Sequence, residues 1–167
     1  MTDSIAIRRV LFLCTGNSAR SQIAEALFTR KGGDRFVVAS AGTQPTAAIC
    51  EETVEVLRSA NIDWSNRRPK GLDEVLHEPW DLVITLCDRM RETCPAVPGR
   101  PVFAHWGVPD PAAVTEPGRR LAAFKDAVAL IAWRIDLMLA LRPEALDRLV
   151  LEERMRAIGT QHPPTSS

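Results

Sequence analysis

The sequence predicts an α/β fold, a three-layer sandwich built on a four-stranded parallel sheet. Three observations lead there. The short apolar runs Val10-Leu11-Phe12-Leu13 and Leu82-Val83-Ile84-Thr85-Leu86 lack polar alternation, as strands do when both faces of a sheet are covered. Amphipathic helical patterns alternate with these runs, as strand–helix–strand crossovers require. No internal repeat or linker interrupts the 167 residues, a length suited to one domain that buries roughly 70% of its unfolded surface.

The elements follow in order. The first run comes after two arginines and leads straight into Cys14. Residues 21–30 read as a helix with Ser21 as its capping residue, Glu25 in its second turn and Gly32-Gly33 as its stop. Phe36-Val37-Val38-Ala39 is a strand closed by Ser40-Ala41-Gly42, and residues 49–60 place Ile49, Thr53, Val56, Leu57 and Ala60 on one helical face. The run at 82–86 starts after Asp81 and leads into Cys87. Pro101-Val102-Phe103-Ala104 is a fourth strand, whose proline fits a strand start or an edge. Residues 119–141 form the longest helix, with Leu121, Phe124, Val128, Ile131, Ile135 and Leu139 spaced along its inner face. Trp133, Leu137, Met138 and Leu141 widen that face, either for dimerisation or for packing beneath a charged helix at 144–158, which follows Pro143 and closes at Gly159. The expected organisation is a domain at 1–142, a helical extension at 143–159 and a disordered tail at 160–167.

Composition narrows the function classes. Hydrophobic residues make up 46% and charged residues 25%, and Lys plus Arg balance Asp plus Glu at 21 each. This excludes the basic footprint of a nucleic-acid binder. Met1-Thr2-Asp3-Ser4 is no signal peptide, and the apolar stretch at 127–141 is too short for a bilayer and broken by Arg134 and Asp136. A cytoplasmic chain without a membrane partner is expected. Its four cysteines, 14, 50, 87 and 94, contain no Cys-x-x-Cys pair, and His77, His105 and His162 are scattered. Neither a structural zinc site nor a cofactor is expected.

The segment Cys14-Thr15-Gly16-Asn17-Ser18-Ala19-Arg20-Ser21 carries the chemistry. A strand ends at Cys14 and a helix begins at Ser21, so the loop wraps at the carboxyl end of a strand and faces a helix amino terminus. Inward-pointing backbone N–H groups and the helix dipole make such a loop an anion site. Gly16 and Asn17 tolerate the left-handed backbone this curvature needs. Arg20 can close the site with paired hydrogen bonds to oxyanion oxygens. The same field predicts a depressed pKa for Cys14, with the Ser21 hydroxyl placed to hydrogen-bond the sulfur. An isolated Cys-x5-Arg is by itself a chance motif; strand, turn and helix start together make it a nucleophile loop.

Residues 14–25, with Ser40-Ala41-Gly42, Thr85-Leu86-Cys87, Cys94-Pro95, His105-Trp106-Gly107 and Asp110-Pro111, resemble the low-molecular-weight protein tyrosine phosphatase superfamily, and in detail its thioredoxin-coupled arsenate reductase branch. The resemblance covers roughly residues 8–140. It implies a low-molecular-weight phosphatase-like fold and a thiol cascade: Cys14 attacks arsenate, Cys87 attacks the Cys14–arsenic adduct, arsenite leaves, and Cys94 then takes over the disulfide for thioredoxin to reduce. Phosphate or sulfate would compete for the loop. The resemblance also makes Asp110 the general acid. His105-Trp106-Gly107 packs that loop, and Cys50 is a bystander. If residues 88–93 are helical, Cys87 and Cys94 stand about 10 Å apart along the axis, beyond the roughly 7 Å between α-carbons that a disulfide allows; the segment must unwind during turnover.

Two departures bear on specificity. Phosphotyrosine phosphatases of this superfamily carry aromatic residues after the Asp-Pro, whereas Ala112-Ala113 follow here and the chain has no tyrosine. Some arsenate reductases bind potassium through residues matching Asn17, Glu25, Ser40 and an aspartate; Lys70 stands where that aspartate would be, and its ammonium is expected to pair with Glu25 in place of the metal. The competing readings are a phosphomonoester hydrolase with Cys87 and Cys94 as spectators, and a non-catalytic anion sensor, which leaves the paired nucleophile and acid unexplained.

Overall fold

In the computed structural model, which describes residues 8–94 and 96–164, four parallel strands form one sheet in the order β2-β1-β3-β4. They are β1 (Arg9–Cys14), β2 (Val37–Gly42), β3 (Leu82–Thr85) and β4 (Val102–His105). The readings of the first four residues, of Pro95 and of 165–167 lie outside the described residues. Among the described residues, no helix is long and apolar enough to cross a membrane.

The central strands are apolar on both faces because both faces are covered. Val10 and Phe12 point into a core with α1 (Arg20–Gly32), α2 (Glu51–Ser59), α4 (Pro117–Ala140) and α5 (Arg148–Ile158). Leu11 and Leu13 point the other way, toward Val75, Trp80, Val97 and Met90 of α3 (Asp88–Thr93). Each of these strand side chains is fully buried and stabilises the fold by about 1.5–3 kcal/mol. In α4 the buried residues Phe124, Ala127, Ile131, Ile135 and Met138 follow the three-and-four spacing of an inward stripe. Leu137 and Leu141 border a small cavity with Ala157 and Ile158 of α5, so this part of the widened α4 face lies beneath that helix.

Element boundaries differ from the sequence reading where pairing or capping decides them. β2 does not stop at Ala39: Ala39, Ser40, Ala41 and Gly42 pair with Leu11, Phe12, Leu13 and Cys14. α1 begins at Arg20, and the residue before it, Ala19, gives no side-chain cap. Ser21 is therefore not a cap; its hydroxyl turns to the loop. The carboxyl-terminal helix starts later than expected. Arg142 takes a left-handed backbone (φ 51°), residues Pro143–Ala145 form a single 3-10 turn, and α5 begins after Asp147, whose carboxylate accepts the Val150 N–H at 3.0 Å.

This topology locates a site. From β1 the chain passes to β2 on one side and later to β3 on the other, so the connections diverge between the carboxyl ends of β1 and β3. In open α/β sheets that crevice holds the ligand. Cys14 ends β1, and Cys87 follows the end of β3 by two residues.

Candidate active site

The loop after β1 is shaped by Asn17. It has a positive φ of 51°, whereas Gly16 does not adopt the left-handed conformation expected of it. A non-glycine residue there costs about 1–2 kcal/mol, and here the side chain is locked by four hydrogen bonds. Its Nδ2 donates to Ser21 Oγ at 2.7 Å and to Ser40 Oγ at 3.0 Å, while its Oδ1 accepts from Gln22 Nε2 and from the Lys70 backbone N–H, both at 2.8 Å. That exhausts the capacity of one amide group, as a fully buried asparagine requires. The loop is closed from outside by Gly42: a Cβ there would drive into the Thr15 carbonyl oxygen.

Within this cradle the Cys14 sulfur lies 2.8 Å from Ser21 Oγ and accepts the Asn17 backbone N–H at 3.3 Å. The predicted depression of its pKa is corrected by the structure. Burial pushes the Cys14 thiol up, against the opposing pulls of the Ser21 hydroxyl, the Ser21 amide, the Arg20 charge and the Asn17 amide, in that order. The sulfur is almost fully enclosed, and desolvation of the thiolate outweighs the donors around it.

Cys87 is buried and its sulfur lies 3.4 Å from the Thr15 hydroxyl, so the second thiol opens onto the nucleophile loop. Cys14 and Cys87 belong to one apolar cluster with Leu13, Ala41, Trp80 and Met90, and partly buried Cys94 packs against that cluster. Burial also pushes the Cys94 thiol up. No disulfide joins Cys14, Cys50, Cys87 or Cys94, and Cys87 and Cys94 flank the six residues of α3.

Asp110 and Arg20 meet at the mouth of the loop. Arg20 Nη2 lies 3.7 Å from Asp110 Oδ2, and Arg20 Nη1 donates to the Val108 carbonyl at 3.1 Å. The Asp110 carboxylate also accepts the Ala112 N–H at 3.0 Å, which starts the turn at Pro111–Ala113. Beyond it Arg120 donates to the carbonyls of Ala112 and Val114 while pairing with Glu52 at 2.7 Å. The expected partners Arg20 and Asp110 are thus brought together, and Ser18 is held through its carbonyl by the Cys50 N–H and the Thr53 hydroxyl. Thr15 and Gly16 are tied to the 42–46 segment by bonds from Gln44 and Thr46. Cys50 sits beside the loop, 3.7 Å from the Ser18 hydroxyl.

Lys70 stands where the sequence placed it. Its ammonium is 3.2 Å from Glu25 Oε1, and the Ser40 hydroxyl donates to the same oxygen at 2.9 Å. Arg67 adds a second cation at 3.7 Å from Oε2. The buried carboxylate is therefore neutralised by side chains, and a chain of contacts runs from Lys70 through Glu25, Ser40, Asn17 and Ser21 to the sulfur. Among the described residues, no group of three or more His, Cys, Asp or Glu side chains is placed to hold a metal ion.

Sequence reasoning missed Gln22, which bridges Asn17 to Trp64 Nε1 at 2.8 Å, and the arginines of α4. The place of Gln22 beside the loop, directly after Ser21, was the available signal for it; nothing local marked Arg120 or Arg134.

Residues 9–150 match the model of the low molecular weight phosphotyrosine protein phosphatase family. An arsenate reductase of Halalkalibacterium halodurans is 39% identical over 103 residues, covering 62% of this chain and 73% of that protein. The thioredoxin-dependent arsenate reductase of Corynebacterium glutamicum superposes with a TM-score of 0.64 at 28% identity over 81% of this chain; the chain spans only 62% of that structure. A low molecular weight protein tyrosine phosphatase from T. tengcongensis superposes with a TM-score of 0.67 at 27% identity, covering 80% of this chain and 99% of that one.

Proposed function

Because the chain belongs to the low molecular weight phosphotyrosine protein phosphatase family, we propose that it turns that family's nucleophile loop to the reduction of arsenate to arsenite. The relatives that carry the arsenate reductase name support this reading. The observation that carries it is the placing of Cys14, Cys87 and Cys94 around one apolar cluster, which a hydrolase does not need.

Arsenate binds in the loop at 15–21, with Arg20 and the amino terminus of α1 facing its oxygens. The Cys14 thiol gives its proton to the bound dianion and attacks arsenic as thiolate. Asp110 protonates the departing oxygen, which leaves as water. Cys87 then attacks Cys14 Sγ; the sulfur–arsenic pair of electrons stays on arsenic, which leaves as arsenite, and a Cys14–Cys87 disulfide remains. Cys94 attacks Cys87 and frees Cys14, and thioredoxin reduces the Cys87–Cys94 disulfide. For that exchange α3 must unwind. The reaction takes place in the cytoplasm, where thiols are kept reduced.

The test is Cys87→Ser. Multiple-turnover arsenate reduction, followed as NADPH consumption through thioredoxin and its reductase, should vanish while slow hydrolysis of a small aryl phosphate survives. Retained arsenate turnover would remove the cascade and leave phosphomonoester hydrolysis as the function of the loop.

A further inference from the structure

Arg134 is a buried cation whose hydrogen bonds, among the described residues, go to main-chain carbonyls and to no carboxylate. It is almost fully enclosed in α4, and its guanidinium donates three hydrogen bonds to two main-chain carbonyls: Nη1 to Gly107 at 2.9 Å, and Nε and Nη2 to Gln161 at 3.3 and 3.2 Å. Enclosing a charge in this way is costly unless its donors are satisfied by something the fold needs held. The two segments it joins are the base of the Asp110 loop and the chain that follows α5.

Two further contacts tie the same segments together. The Trp106 indole N–H donates to the Met155 carbonyl at 2.9 Å, and Trp106 is fully buried. Gly159 approaches the His105 carbonyl so closely that a Cβ there would collide with it. On its outer side the loop is less supported: a cavity of about 390 Å³ lies between Val108, Asp110, Leu130 and His162. The position of Asp110 therefore depends on its tethers. Arg20 holds the Val108 carbonyl from the active-site side, and Arg134 holds the preceding carbonyl from the side of the carboxyl-terminal segment. All three contacts from that segment come from residues past 150, where the family match ends.

We infer that the segment at 155–161 is a positioning element for the general-acid loop, and that Arg134 is the positioning residue that joins the two. The inference rests on the reading of Asp110 as the acid. Arg134 touches no substrate; it fixes the height of the Gly107 carbonyl, and through Val108 and Pro109 the place from which Asp110 reaches the departing oxygen.

The experiment is a double-mutant cycle on the chemical step. In a Cys94→Ser background, which limits the chain to one turnover, the rate of arsenate-dependent thiol loss is measured at saturating arsenate, together with the half-saturating concentration. Asp110→Asn should slow that rate by ~100-fold or more. Arg134→Met should slow it by ~10-fold or more with half-saturation little changed, and should add no more than ~2-fold to Asp110→Asn, because both act through one group. Thermal melting establishes that each variant is folded. Should Arg134→Met not fold, Arg134→Lys, which keeps a cation but cannot span both carbonyls, and Gly159→Ala are read in the same way. Additive losses in the double variant, or an unchanged rate in the folded single variants, overturn the inference while leaving the acid in place. An Asp110→Asn protein of full rate overturns the acid reading itself.

Discussion

Removing the Ser21 hydroxyl probes the contact on which the nucleophile depends most. Ser21 Oγ lies 2.8 Å from Cys14 Sγ inside a closed pocket, and among the influences that lower the thiol pKa it is the largest. A hydrogen bond to a charged group is worth about 1.5–3 kcal/mol net, and one pKa unit corresponds to 1.36 kcal/mol. Ser21→Ala should therefore raise the Cys14 pKa further still. The sign is fixed by which state gains: the hydroxyl can stabilise the thiolate, so its loss favours the thiol and moves ionisation to higher pH. The assay is alkylation by iodoacetamide as a function of pH in a chain whose other cysteines, 50, 87 and 94, are serine. At neutral pH the rate should fall by about 10–100-fold, the factor that a loss of about 1.5–3 kcal/mol implies, and the rising limb should shift to more alkaline pH. An unmoved limb with a normal melting curve refutes the reasoning, since the donor would then contribute nothing to the sulfur's charge.

Three other outcomes follow from named contacts. Asn17→Ala should lose arsenate binding and be destabilised by a few kcal/mol, because it vacates four hydrogen bonds and keeps an unfavourable backbone; Asn17→Gly should recover part of the stability in a urea titration, and an equal loss in both variants argues against the backbone share. Arsenate turnover should be the same in potassium and sodium salts, whereas Lys70→Met should be destabilised by about 1.5–3 kcal/mol, since it takes the nearest cation from the buried Glu25 and leaves Arg67 and Ser40; a strong potassium dependence of the unaltered chain contradicts the role given to Lys70. Cys94→Ser should reduce about one arsenate per molecule and stop with Cys14 joined to Cys87, which mass spectrometry of the trapped disulfide checks.

What the sequence determined by itself lies within short stretches of chain. The apolar runs into Cys14 and Cys87 read as buried parallel strands because each is short, free of polar alternation and preceded by a charged residue, Arg9 or Asp81. The loop from Cys14 to Ser21 carries its own curvature and charge, so the nucleophile and Arg20 were legible without a fold. Lys70 opposite Glu25 was legible only through resemblance.

Only tertiary structure decided the rest. Ser21 resembles a helix cap, yet its hydroxyl serves the sulfur because Ala19 precedes the helix and Asn17 turns the loop inward. Ser40-Ala41-Gly42 resembles a strand's end, yet pairing with β1 carries the strand through it. The Cys14 pKa follows from how much water the surrounding elements exclude, a property of no single segment. Arg134 and Arg120 are ordinary helix residues in sequence; what they do is set by carbonyls that arrive from other parts of the chain. Local chemistry is written in neighbouring residues, whereas desolvation and long-range hydrogen bonds exist only once distant segments have packed.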